Sequence, residues 1–536
     1  MKRPDYWQHK VSVFLHDPVH KALKIQGHEV RAAEIATLLH QVLPNKNEYQ
    51  SADAMASGLT RAALPGHHDD QQRNGAVDFM AKDNSVITHP LVNNADLRLD
   101  LPPSMTVDKV HQAVLALLKK DIGEGLTAEE LDLLRLESEN RAPLNAFFNR
   151  TSDPEGWSRA LFHYLFFALK KRLRAENAGG LGALWDFLPA DTRMPDHAVW
   201  HHCGLASALA SAMKDDPNGS ASLAVFSITP VQPFIAKARK LRDHWVGSVI
   251  LSYLSFTGLR RVSEALGPDH VMYPSLHDQT MVDAWLDREF HLGHLLTEPD
   301  ENVRRHTEES RGIASFPNKF VFVVSTNMAQ EVCQDIQKAI QAEWLRLAGH
   351  VREYLAPKGE AGRATRGIFD HQIGDYWQFG FAAAKLLGLD DTADLAGLLH
   401  DSKWSVEQET VAAFSGPYGA NGRRLARLYS ATHTLTQSLL AATKLKPNRV
   451  RRAQQGEKCP LCGEHEILHD FIRPGSTSAH EYKMGVKAFW DGLRARMNSG
   501  ESFAQVGKNE RLCAVCAMKR FLPQALDRHK DEPLYE

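Results

Sequence analysis

The sequence lacks any apolar stretch approaching the ~20 residues that a helix needs to cross a bilayer, which argues against a helical membrane protein. It lacks a surplus of either charge: 63 Lys and Arg stand against 65 Asp and Glu, a formal net charge of -2. No basic field surrounds the whole molecule, so any contact with nucleic acid must come from local patches. Internal repeats and low-complexity tracts are lacking too, which sets aside solenoids and long disordered tails. The opening "MKRPDYWQHK" leads into no signal-peptide core or small-residue cleavage site, so the expected location is the cytoplasm. Cysteine is scarce, six residues in 536.

What is present is ordinary for a folded protein. Hydrophobic residues make up 43% and charged residues 24%, and 536 residues are enough for about three domains with a sizeable core. The 27 histidines are the notable asset, because a metal enzyme could draw on them. Four of the cysteines form two C-x-x-C pairs, while Cys203 and Cys333 stand alone and read as buried thiols.

The first ~215 residues read as mostly helical. In "TVDKVHQAVLALLKK", Val107, Val110, Val114, Leu117 and Leu118 share one face of a helix, and "WSRALFHYLFFALKKRL" (157–173) reads as a central helix. After the linker "KDDPNGSAS" (214–222) comes "LAVFSI" (223–228), a short buried strand. "TPVQPFIAKARKLRDHWVGSVILSYL" then reads as one long helix, with Phe234, Ala238, Leu241, Trp245 and Val249 along one stripe and Phe234 and Trp245 in the core. "NKFVFVVS" (318–325) is a second strand, and from about 328 to 445 the pattern is helical again. The expected class is α+β, mostly helical, with helices packed on a sheet.

"KCPLCGEHE" and "RLCAVCAMKR" are knuckles about fifty residues apart. Cys459, Cys462, Cys513 and Cys516 can fill the four-thiolate shell that Zn2+ favours, which leaves no open position for chemistry; the zinc is expected to be structural. Gly463 suits the tight turn of the first knuckle. The alternative is two unrelated thiol pairs.

"FLHDPVHKAL" places His16 beside Asp17, a pair that can ligate one divalent ion if other ligands join it. "GHE" offers His28, "SADAMASGLTR" offers Asp53 in a small-residue helix, and "LPADTRMPDHAVWHHCGLASALA" offers Asp191, Asp196, His197, His201 and His202. A further cluster, His67, His68, Asp69 and Asp70, reads as an exposed loop. Taken singly, each of these has a structural alternative as a cap, a salt-bridge partner or a satisfied histidine.

These stretches together resemble the large signature subunit of type III-B (Cmr-type) CRISPR effector complexes. "FLHDPVHKAL…GHE" looks like that family's HD-domain opening, and "ADAMASGLTR" like its Ala-Asp-x-Leu-Ala-Ser-x-x-x-Arg segment. "PADTRMPDHAVWHH" is similar to its distal Asp-His segment, and "FSITPVQPFIAKARKLRDHWVGSVILSYL" to the strand and helix that open its first palm domain. "FPNKFVFVV" resembles the later palm strand, and "GEKCPLCGEHE" and "ERLCAVCAMKRFLP" its zinc module. The matches run in family order from residue 7 to about 523. Three departures stand out. His201 replaces the acidic residue of the distal segment, which would favour a softer metal or lower activity. Thr229 stands where Gly is usual. The Gly-Gly-Asp-Asp motif of the family's second palm, which makes cyclic oligoadenylate, has no counterpart, since "HHDD" (67–70) and "GLDD" (388–391) lack a strand–turn–strand context. The chain reads as a fragment, a split half or a member without the cyclase half.

The resemblance implies a helical HD domain over 1–215, a ferredoxin-like first palm over 216–330, a helical region over 331–450 and a four-cysteine zinc module over 451–536. It implies an HD-family metal-dependent phosphodiesterase that cuts single-stranded DNA within an RNA-guided antiviral complex, with no cyclase activity from this chain alone. His16, Asp17, Asp53 and His202 would hold a divalent transition metal such as Mn2+ or Ni2+, supported by His28 and Asp196. Lys21 would neutralise charge on the scissile phosphate. The basic runs "KARKLR" (Lys237, Arg239, Lys240, Arg242), "RRLAR" (423–427) and "KLKPNRVRR" (Arg449, Arg451, Arg452) are candidate nucleic-acid contacts, with solvated faces as the alternative. Expected partners are the other subunits of the complex, guide and target RNA, single-stranded DNA and a separate second-palm chain. The competing expectations are an inactive scaffold subunit, to which His201 points, and a free-standing HD phosphohydrolase.

Overall fold

A computed structural model describes residues 5–57, 78–81, 85–89, 92, 95–99, 101, 103–137, 142–190, 197–296, 313–355, 363–391, 395–399, 403–415, 423–445, 454, 456–470, 478–497 and 506–527. Helix α1 (Tyr6–Phe14) exposes only Gln8; a helix buried all round must lie inside the helical layer it belongs to. Around it stand α2 (His28–Leu38), α3 (Lys46–Ala56), α4 (Val107–Ile122), α5 (Pro154–His163) and α6 (Val199–Lys214). The three-residue strands β1 (Val86–Thr88) and β2 (Asp96–Arg98) form an outlying antiparallel pair. Helix α5 runs through a π-helical turn, Tyr164–Ala168, into Leu169–Ala175, so the expected central helix is one rod with a widened turn.

The second layer is a sheet. Its elements in chain order are β3 (Ala221–Thr229), α7 (Leu241–Ala265), β4 (Val271–Tyr273), α8 (Thr280–Phe290), β5 (Lys319–Ser325), α9 (Ala329–Leu355) and β6 (Gln378–Lys385). All pairings are antiparallel and the order is β4-β5-β3-β6. Apart from α8, which lies between β4 and β5, this is the split βαββαβ arrangement of ferredoxin-like sheets. Side chains alternate between faces. Phe320 packs toward Ile336 and Ile340 of α9, while Val323 joins Leu209 and Ala210 of α6 on the other face. Helices α10 (Tyr429–Lys444), α11 (Ala479–Met497) and α12 (Ala514–Leu526) complete the chain. Among the described residues, no helix is long and apolar enough to cross a membrane.

Two expectations change. The sheet does not end near residue 330: β6 pairs with β3 from Ser222↔Lys385 to Thr229↔Gln378, inside the stretch expected to be helical. Its sequence, "QFGFAAAK", has no β-branched residue, so only pairing with β3 makes it a strand. The long helix after β3 is also broken. A short helix, Gln232–Ala236, stops before α7, because the buried Nζ of Lys519 donates to the carbonyls of Phe234 and Lys237 and holds the backbone out of helical register. The buried face of α7 therefore carries Val246, Ile250 and Leu254, whereas Leu241 is 86% and Trp245 47% exposed. Phe234 alone of that aromatic pair is core. The turn Gly388–Asp391 follows β6, and the next described element is the helix Leu395–Leu398 rather than a strand.

Candidate metal centre

Three elements converge on one buried point. Helix α1 stops at Phe14, and the chain turns so that His16 and Asp17 project from its end. Helix α3 is opened by a capping box between Asn45 and Glu48 and carries Asp53 in its last turns. Helix α6 carries His202 near its start. The small residues Ala52 and Ala56 of α3 and Ala206 and Ala210 of α6 share one apolar cluster with Val13, which lets the two helices approach closely. The "SADAMAS" and "LASALAS" stretches thus bring Asp53 to His202.

His202 Nε2 lies 3.2 Å from Asp53 Oδ1 and 3.8 Å from Asp17 Oδ2. His16 Nε2 lies 3.6 Å from both Asp17 Oδ2 and Asp53 Oδ1. Ligand atoms of His16, Asp53 and His202 all fall within 4.8 Å of one another. The Nδ1–H of His16 donates to the carbonyl of Val13 at 2.7 Å, which leaves the Nε2 lone pair facing the carboxylates. His28 repeats the device, with Nδ1 on the carbonyl of Ile25 at 2.7 Å and Nε2 3.7 Å from Asp17 Oδ1. His16 Nε2 and both ring nitrogens of His202 are buried without a hydrogen bond. Two imidazoles and two carboxylates with orphaned nitrogens pointing inward fit a divalent transition ion.

The electrostatics agree. Burial opposes ionisation of Asp17, but His16 and Lys21 outweigh it and hold the carboxyl at about 2. Burial lowers the His202 imidazole, and Asp53 only partly pulls it back, so it stays neutral and able to ligate. Lys21 Nζ sits 2.5 Å from Asp17 Oδ2, so it is tied to the site and is not a solvated helix-end lysine.

His201 lies on the exposed outer side of α6. The replaced acidic position is thus outside the His16–Asp53–His202 group. His197 stands beyond it, its ring 6.3 Å from that of His202. Asp191, Asp196 and the 67–70 cluster lie outside the described residues, as do Arg449, Arg451 and Arg452. Of the remaining basic candidates, Lys237 pairs with Glu464, Arg239 donates to the carbonyl of Pro460 at 3.1 Å, Arg242 faces the amide of Gln524, and Lys240 is half-buried.

The four knuckle cysteines form the second cluster, with sulfurs within 4.8 Å of one another and Cys462 Sγ 3.7 Å from Cys513 Sγ. Sulfurs on a tetrahedral Zn2+ with ~2.3 Å bonds would stand about 3.8 Å apart, so the spacing fits. Gly463 takes φ +70°, and its N–H closes the first knuckle on the carbonyl of Cys459 at 2.8 Å. Cys513 caps α12, its sulfur accepting from the Cys516 N–H at 3.4 Å, where the helix dipole favours thiolate. Without a cation, burial and the three neighbouring sulfurs push the Cys513 thiol well above its ordinary range. Cys203 and Cys333 are buried, each 1% exposed, and stand apart from this cluster.

Residues that sequence reasoning missed bind these parts together. Arg520, 1% exposed in its side chain, grips Asp243 with Nε and Nη2 at 2.8 and 2.6 Å and Glu510 with Nη1 at 2.9 Å. Lys519 and Arg520 directly follow the second knuckle in an otherwise apolar helix, and that placement was the available signal.

Comparisons with known proteins point one way. The family described as "CRISPR-associated protein Cmr2, N-terminal" matches residues 223–349. The CRISPR system Cmr subunit Cmr2 of Pyrococcus furiosus is 25% identical over 541 residues, covering 96% of this chain and 55% of the relative. The Cmr2 subunit of Saccharolobus solfataricus is 23% identical over 278 residues, 51% of this chain and 24% of the relative. In fold, the chain is similar to a chain of the type III-B Cmr-beta complex in its apo state, with a TM-score of 0.58 and 16% identity over 100% of this chain and 51% of that one. The complex bound to cognate target RNA gives a TM-score of 0.54 at 15% identity, over 98% and 50%. The chain thus spans about half the length of the first curated relative and of these neighbours. In sequence the chain is thus similar to Cmr2 subunits, and in fold to a chain of type III-B Cmr complexes.

Proposed function

We propose that this chain carries the metal-dependent nuclease site of such a complex, acting on single-stranded DNA, with a structural zinc module beside its sheet. The observation that carries the reading is the buried meeting of His16, Asp53 and His202, with Asp17 against them and with His16 Nε2 and both His202 ring nitrogens lacking a hydrogen bond. His16, Asp17, Asp53 and His202 would hold the ion, with His28 beside Asp17. A divalent transition ion supplies Lewis acidity and an activated water when bound. Asp17, ionised far below neutral pH, keeps the pocket anionic, and Val13 fixes the tautomer of His16. Lys21, held by Asp17, would offer a cation to a phosphodiester at the site. The sheet, the zinc module and the Lys237–Arg242 run would meet neighbouring subunits, guide RNA and target RNA. The scaffold alternative leaned on His201, which stands outside the ligand group. A free-standing phosphohydrolase has no use for the sheet and zinc halves.

The test is cleavage of labelled single-stranded DNA with Mn2+, Ni2+ or EDTA, by the chain alone and within the assembled complex with target RNA. A His16→Ala/Asp17→Ala variant runs beside it. Metal-dependent cutting lost in the variant supports the reading. Absence of cutting in the assembled, RNA-bound complex, or equal cutting by the variant, refutes it.

A further inference from the structure

Helix α1 does more than end in ligands. One and a half turns before His16, Lys10 Nζ lies 2.7 Å from Asp269 Oδ2, and both side chains are 0% exposed. Asp269 belongs to the turn Pro268–His270 that joins α7 to β4. The same turn is gripped twice more. Tyr6 Oη donates to the carbonyl of Leu266 at 2.7 Å, and the His270 Nδ1–H donates to the carbonyl of Val323 in β5 at 2.8 Å. Ser207 of α6, one and a half turns beyond His202, donates to the carbonyl of Lys10 at 3.2 Å. The backbone is shaped for the contact: Gly267 takes φ +117°, and a Cβ there would sit 2.5 Å from Lys10 Cε.

A fully buried ion pair is not an economical way to stabilise a fold, since apolar residues of the same volume serve as well or better. Its direction is what counts here. Lys10 is anchored on the sheet edge, and one turn later the carbonyl of Val13 holds the His16 ring. No flexible link intervenes between the sheet and a ligand nitrogen.

We infer that Lys10 and Asp269 are positioning residues that fix the His16–Asp17 end of α1 to the β4–β5 edge of the sheet, so that cation affinity at the site depends on that edge. This rests on the metal-site reading above. It assigns the sheet edge a role in setting the nuclease pocket, and a partner that displaced β4 would act on the ligands through this pair.

The experiment titrates the full chain with Mn2+, read by electron paramagnetic resonance, for wild type and for Lys10→Met/Asp269→Leu, which removes both charges at near-constant volume. Far-UV circular dichroism and zinc content report on the fold independently. The expected result is a folded, zinc-replete double variant whose Kd for Mn2+ is raised about 10-fold or more, the size found when groups that orient metal ligands are removed. A folded, zinc-replete variant with Kd within about twofold of wild type overturns the inference while leaving the metal site standing. Wild-type protein that takes up no Mn2+ overturns both. If the double variant does not fold, Lys10→Met/Asp269→Asn, which removes both charges and keeps the shape of the turn, is read against the same two outcomes.

Discussion

Asp53 Oδ1 stands 3.2 Å from His202 Nε2 across the alanine-lined contact of α3 with α6, two helices nearly 150 residues apart in sequence. Asp53→Asn keeps the shape and removes the charge. We expect it to weaken Mn2+ binding by roughly 100-fold or more while leaving zinc content unchanged, since a direct ligand should matter more than the 10–100-fold typical of groups behind it. Calorimetric titration with Mn2+ and metal analysis of the same sample check both halves.

Zinc should be needed for the fold of the C-terminal module. Cys513 both caps α12 and closes the four-sulfur group, so Cys513→Ser is expected to lower bound zinc from one equivalent toward none and to lower Tm markedly. Metal analysis and a thermal scan with and without chelator would show it, and full zinc retention by the variant would contradict the four-cysteine site.

The Arg520–Asp243 pair predicts a non-additive result. Asp243→Ala leaves a buried guanidinium short of its partner and should cost about 3–5 kcal/mol. Asp243→Leu with Arg520→Met should cost much less than the two single changes combined. Denaturant midpoints for Asp243→Ala, Arg520→Met and the double variant decide it.

Acidity should help one helix. Burial pushes Asp283 of α8 up to about 6, Lys171 pulling it down and Asp278 adding to the rise. Its folded value exceeds the unfolded value of 3.8, so the ionised carboxylate costs stability above about pH 6, and the penalty fades as pH falls through 6 toward 4. Asp283→Asn should therefore stabilise by about 1–2 kcal/mol at pH 7.5 and have little effect near pH 4.5. Thermal scans at the two pH values are the check.

Local pattern made some of this legible and long-range contact hid the rest. The knuckle cysteines announced themselves by residue type and spacing, whereas His16, Asp17, Asp53 and His202 stood among several candidates and were singled out only by the resemblance to a known family. The strands "LAVFSI" and "FVFVV" were legible too, their apolar runs being buried on both faces of the sheet. Strand β6 did not, because an Ala- and Gly-rich stretch becomes a strand only when β3 lies beside it. The break before α7 is set by Lys519, and Trp245 consequently faces outward where a continuous helix would have turned it in. Lys10 and Asp269 belong to no motif, and only their partnership explains their burial.

The reach of Lys519 also bears on how the chain is made. Its ammonium satisfies carbonyls of Phe234 and Lys237, 285 and 282 positions earlier. During synthesis, the segment that leads into α7 must wait with those carbonyls turned to water until Lys519 has left the ribosome. The sheet and helix α12 are therefore expected to finish folding together, only after Lys519 has emerged, whereas the helical layer around α1 to α6 can gather much earlier.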